Sequence, residues 1–74
     1  MRFITDGKRH LVCLPYSEEN LHDMAKELEI AKCWFHSSPY PHYDIPLRRK
    51  KEIEGRCNIV SPKDIIRICK GEIK

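Results

Sequence analysis

No stretch of this sequence approaches the roughly 20 consecutive apolar residues that a membrane-spanning helix needs. The opening MRFITDGKRH also lacks the apolar centre of a secretory leader. A cytoplasmic location with no membrane partner is the corresponding expectation. Internal repeats and low-complexity tracts are missing as well, which sets aside repeat arrays and compositionally biased linkers. None of the four cysteines, Cys13, Cys33, Cys57 and Cys69, belongs to a C-x-x-C pair, the spacing behind common zinc and thiol-redox motifs. With no sign of an oxidising compartment they read as free thiols, most of them small buried hydrophobes.

Charge of one sign is also in short supply. A formal net charge of +3 permits an anionic partner without demanding one. Charged residues make up 34% of the chain and apolar ones 41%, a balance that suits a folded globular domain rather than a disordered one. The 74 residues are enough for one compact domain, 1–74, with no linker. A domain of that size hides only about 60% of its unfolded surface. It is marginal by itself, so a homodimer that completes the core stays open.

Arg2–Thr5 reads as a short strand, Asp6-Gly7 as a turn, and His10–Leu14 as a second strand that Pro15 stops. Ser17 is placed to cap a helix over about 17–30: Glu18 and Glu19 suit its positive end, and Leu21, Met24, Ala25 and Leu28 recur at helical spacing. Cys33–His36 reads as a third strand. Pro46 and Gly55 bracket a short basic helix, and Cys57–Val60 is a fourth strand. Ser61, Pro62 and Asp64 open a last helix through Ile65, Ile66, Ile68 and Cys69 that Gly71 ends. The order β-β-α-β-α-β-α predicts a small α/β domain: three parallel strands plus an edge strand, with helices packed on the sheet. A mainly antiparallel α+β sheet is the alternative.

The chemistry concentrates in Lys32–Arg49, KCWFHSSPYPHYDIPLRR. In an open parallel sheet, ligands bind beyond the carboxyl ends of the strands. That edge would gather His36, the loop carrying His42, Tyr43 and Asp44, and Ser61. Helix N-termini there favour an anion, and Arg48 and Arg49 lie in the first turn of one of them. Histidine moves protons near neutral pH and a carboxylate can orient its ring, so His36, His42 and Asp44 are the candidate catalytic groups. Tyr43 is a candidate hydrogen-bond donor or stacking ring. Cys33-x-x-His36 with His42 offers three zinc-type ligands, but residues three apart on a strand face opposite ways. Closed zinc sites also need four converging ligands, so no metal and no cofactor is expected.

Each residue also has a plainer explanation. A histidine at a strand end can bond a loop carbonyl, His42 and Asp44 can tie their own loop, and Ser17 and Ser61 are accounted for by helix capping. Tyr16, Tyr40 and Trp34 read as packing residues. Four consecutive basic residues, Arg48–Lys51, fan around a helix at about 100° each and make a solvated face rather than a nucleic-acid patch. Asp6 and His10 fall at the far end of the expected sheet. Either they form a local turn pair, or the hairpin is wrong and His10 reaches the main site as a further catalytic group, with Asp6 at the ligand.

His-Leu-Val near the start, Trp-Phe-His, His-Tyr-Asp-Ile-Pro and a closing Asn-Ile-Val-Ser-Pro-Lys-Asp-Ile-Ile together resemble the family called domain of unknown function 4031, over roughly residues 3–70. The positions carrying the resemblance are Asp6, His10, His36, His42, Tyr43, Asp44 and Ser61, with Ser37–Pro41 as an insertion relative to many relatives. The resemblance implies a bacterial or bacteriophage protein. In some bacterial members the region precedes an HD-type phosphohydrolase, company that leans towards nucleotide chemistry. The resulting expectation is a small domain that binds a phosphate-bearing, nucleotide-like molecule and acts as a phosphoester hydrolase. The alternatives are a non-enzymatic viral effector that sequesters a nucleotide or binds a host protein, and a basic nucleic-acid accessory protein.

Overall fold

The computed structural model describes residues 1–74. The chain opens with an antiparallel hairpin of β1 (Arg2–Thr5) and β2 (His10–Leu14), paired from Arg2↔Leu14 to Thr5↔Leu11. Its turn is held by Asp6, whose Oδ1 accepts the Lys8 N–H at 2.9 Å. Gly7 sits at φ +75°, where a Cβ would be strained. Helix α1 (Glu18–Leu28) starts where Ser17 Oγ accepts the Asn20 N–H at 3.0 Å, and stops at Glu29, in the left-handed region at φ 59°.

A 3₁₀ turn over Lys32–Trp34 leads into the two-residue β3 (Phe35–His36), and the chain returns as β4 (His42–Asp44). A second 3₁₀ turn (Leu47–Arg49), α2 (Lys50–Glu54), β5 (Asn58–Ile59) and α3 (Pro62–Cys69) complete the chain. The last helix is capped as its sequence predicts, with Ser61 Oγ accepting the Asp64 N–H at 3.2 Å and proline in its first turn.

The five strands form one sheet in the order β3-β4-β2-β1-β5. Only β1 and β5 pair in parallel; β1–β2, β2–β4 and β4–β3 are antiparallel. The domain is therefore α/β with a mixed sheet, and the expected set of three parallel strands does not form. The reason is β4, a strand in a stretch that reads as a loop. Through β4, β2 and β3 do run in the same direction, as a strand–helix–strand unit should. But β4 is inserted between them, and its short return from β3 makes each of its contacts antiparallel.

Both faces of the sheet are covered, which explains why β2 is buried along its whole length after His10. Alternation sends Leu11, Cys13 and Tyr43 to one face. There α1 contributes Leu21, Met24, Ala25 and Leu28 to the same core. The other face carries Ile4, Val12 and Leu14, closed by Ile65 and Ile68 of α3. Next to α3 that second face turns polar.

Candidate functional site

Residues directly opposite in a ladder point the same way, and so do residues two apart on one strand. His10 pairs with Asp44, and His36 pairs with His42. His42 and Asp44 flank Tyr43 on β4. The register therefore projects His10, Asp44, His42 and His36 from a single face, on the α3 side of the sheet. Three of the chain's four histidines meet there.

His36 Nε2 lies 3.1 Å from Asp44 Oδ2, and His42 Nε2 lies 3.3 Å from Asp44 Oδ1. The imidazoles of His36 and His42 stack at 5.5 Å, inclined by 19°, and His10 meets His42 edge-on at 5.4 Å. His10 Nδ1 is 2.6 Å from Asp6 Oδ2, a carboxylate with no solvent exposure. Burial raises the pKa of Asp6, but the His10 hydrogen bond, the Lys8 N–H and the nearby imidazole together outweigh it and hold the carboxyl below its ordinary value. His42 Nδ1 is 2.7 Å from the Tyr40 carbonyl; a carbonyl only accepts, so that nitrogen carries the proton. Exposure grades across the group: His42 is 15% exposed, while His10 and His36 are half-exposed.

The Ser37–Pro41 loop folds beside this face, its end tied down by the Tyr16 hydroxyl, which donates to the Pro41 carbonyl at 2.7 Å. Between the loop and α3 lies a cleft of about 210 Å³, lined by His10 and His42 on the floor and by Tyr40, Ile65, Ile66 and Cys69 on the walls. Imidazoles at the base of an apolar slot can hold an anionic group while the walls take a flat apolar one. The residues whose donor atoms could share one cation are His10, His42 and Asp44, all within 4.8 Å of one another.

The structure thus joins His36, His42 and Asp44 as expected, and adds Asp6 and His10. The hairpin is correct and His10 still reaches the site. In a parallel sheet the start of β2 would lie at the opposite end from Asp44; because β2 and β4 are antiparallel, the two residues are direct partners. The remaining candidates lie elsewhere. Tyr43 is buried on the α1 face, where its hydroxyl meets His22 Nδ1 at 2.7 Å; burial raises its pKa. Arg49 closes the end of α1, donating to the Leu28 and Glu29 carbonyls at 2.7 Å each, and also pairs with Glu52 at 2.9 Å. Its neighbour Arg48 is exposed, and Lys50 pairs with Glu54 at 2.8 Å, so the basic run forms no flat patch. Ser61 is the cap of α3. Cys33 is exposed in a 3₁₀ turn rather than on a strand, and is not among the residues that gather around Asp44.

Sequence reasoning missed β4 as a strand, and with it the shared face. The signal was present: His42-Tyr43-Asp44-Ile45 alternates polar and apolar at the strand period. It also missed the Tyr40 carbonyl, the walls supplied by α3, and His22 as the partner of Tyr43.

Fold and site together define a small α/β domain with a five-stranded mixed sheet, one face of which carries a histidine–aspartate cluster. The chain belongs to the family described as Protein of unknown function (DUF4031), whose model matches residues 6–70 and so spans every residue of the cluster. Neither curated proteins nor solved structures yield a match. No helix is long and apolar enough to cross a membrane.

Proposed function

We propose that this domain binds a phosphate-bearing, nucleotide-like molecule in the cleft between α3 and the Ser37–Pro41 loop, and that it cleaves a phosphoester there. The observation supporting this reading is the common projection of His10, His36, His42 and Asp44 from one sheet face, with His10 and His42 lining an apolar slot beside it. His10 and His42 face the anionic end of the ligand, and Tyr40 with Ile65 and Ile66 covers its apolar part. His36, with Nε2 against Asp44 and its ring half-exposed, is the proton-transfer group: it takes a proton from attacking water and returns one to the leaving oxygen.

The test is a panel of phosphoesters and nucleotides, read by phosphate release and by calorimetry. His36→Ala should keep the fold and lower turnover by about 10²–10⁴-fold, the contribution of a positioned acid–base group. His42→Ala should weaken binding as well. A nucleotide that binds and is recovered unchanged after denaturation would replace catalysis with sequestration. Binding only to nucleic acid, with affinity falling steeply as salt rises, would overturn the reading altogether.

A further inference from the structure

The same face carries a second pattern, in how each group is held. His10 commits Nδ1 to the buried Asp6 carboxylate at 2.6 Å, and His42 commits Nδ1 to the Tyr40 carbonyl at 2.7 Å. Both acceptors fix the proton on Nδ1, so in the neutral ring Nε2 carries a lone pair. For His42 that lone pair faces Asp44 Oδ1 at 3.3 Å. Two acceptors facing each other are satisfied only by a proton or a cation between them. Asp44 in turn has its other oxygen 3.1 Å from His36 Nε2, which leaves Oδ1 for the shared position.

We infer that His10, His42 and Asp44 bind a divalent first-row transition-metal ion of the zinc type, with Asp6, the Tyr40 carbonyl and His36 as the groups that orient them. Histidine ligands to metals nearly always donate their second ring nitrogen to a carboxylate or a backbone carbonyl, and both histidines here do so. The donor atoms lie within 4.8 Å of one another. Bonds of ~2.1 Å at tetrahedral angles bring ligands to about 3.4 Å apart, a change that side-chain rotations in half-exposed His10 can supply. Two imidazoles and one carboxylate are a donor set suited to Zn²⁺, Fe²⁺ or Co²⁺ and poorly suited to Ca²⁺ or Mg²⁺. Three protein ligands are also the number that leaves a metal accessible from a cleft. The inference goes beyond the phosphoester reading and does not depend on it, since a metal site stands whether or not any ester is cleaved.

The experiment is a Co²⁺ titration of the full chain after chelator treatment, with no nucleotide present. Saturable visible absorption, displaced by Zn²⁺, is expected. His42→Ala and Asp44→Asn should each weaken binding at least tenfold. Asp6→Asn should weaken it about 10–100-fold, the usual effect of removing an orienting partner, and Cys33→Ser should leave it unchanged. Should His42→Ala not fold, imidazole ¹⁵N spectra of the unaltered protein decide: Zn²⁺ shifts Nε2 of His10 and His42 and leaves His22 in place. No saturable binding of Co²⁺ or Zn²⁺, retention of affinity in Asp44→Asn, or a thiolate charge-transfer band would each overturn the assignment. Loss of phosphate release with intact metal binding would count against the proposed activity alone.

Discussion

Replacing Tyr43 by Phe separates the two faces of β4 in one experiment. The ring is buried, 5.3 Å from Phe35 and 5.8 Å from His22 between centroids, and Phe keeps both contacts and nearly the whole volume. What disappears is the 2.7 Å bond between the hydroxyl and His22 Nδ1. A neutral hydrogen bond contributes about 1 kcal/mol net, and His22 is only partly buried, so water can replace the lost partner. The expected cost is therefore about 1 kcal/mol, or a melting midpoint lowered by roughly 4–8 °C in a domain of this size. Thermal unfolding followed by circular dichroism measures it. A double-mutant cycle with His22→Gln should assign most of the loss to the pair. Affinity for the phosphate-bearing ligand and for Co²⁺ should not change. The opposite outcome, unaltered stability with ligand binding lost, would mean that Tyr43 faces the cleft. Because strand side chains alternate, this requires a register slipped by one residue, which would send His42 and Asp44 to the α1 side and dissolve the site.

Two further outcomes are expected. Burial pushes the thiols of Cys13 and Cys57 up to about 11, so at pH 8 only about one part in a thousand is thiolate, and reactivity rises as pH climbs towards that value. Under native conditions iodoacetamide should modify exposed Cys33 first, with Cys13 and Cys57 protected until denaturant is added. Equal labelling of all four by mass spectrometry would contradict their placement. Arg49→Ala should lower the melting midpoint while leaving phosphate affinity intact, and Arg49→Lys should not restore it, because a single ammonium lacks the fork that spans two carbonyls and Glu52. Weakened ligand binding with normal stability would return Arg49 to the site.

Elements announced by caps and periodicity were legible. Ser17 and Ser61 start their helices as expected, Leu21, Met24, Ala25 and Leu28 line the buried stripe, and Asp6-Gly7 turns the first hairpin. The candidate cluster was half legible. His36, His42 and Asp44 were singled out by residue type, but the reason they meet is a ladder register, and pairing is a non-local property that residue types alone do not encode. Reading β4 as a loop left out the antiparallel strand that sets Asp44 directly against His10, and that one error put His10 at the wrong end of the sheet. Tyr43 and Arg49 show the complementary difficulty. Both have side chains suited to ligands, yet one spends its hydroxyl inside the core and the other its guanidinium on carbonyls at the end of a helix. Composition does not distinguish a hydrogen-bonding group already employed by the fold from one available to a partner.

The two outermost strands, β3 and β5, are each only two residues long. A neighbouring molecule adding its own ribbon to either flank would find a couple of ladder positions and then a 3₁₀ turn or a helix entry. Such short borders are a recognised defence against runaway polymerisation. At high concentration this domain should resist fibril growth through its flanks.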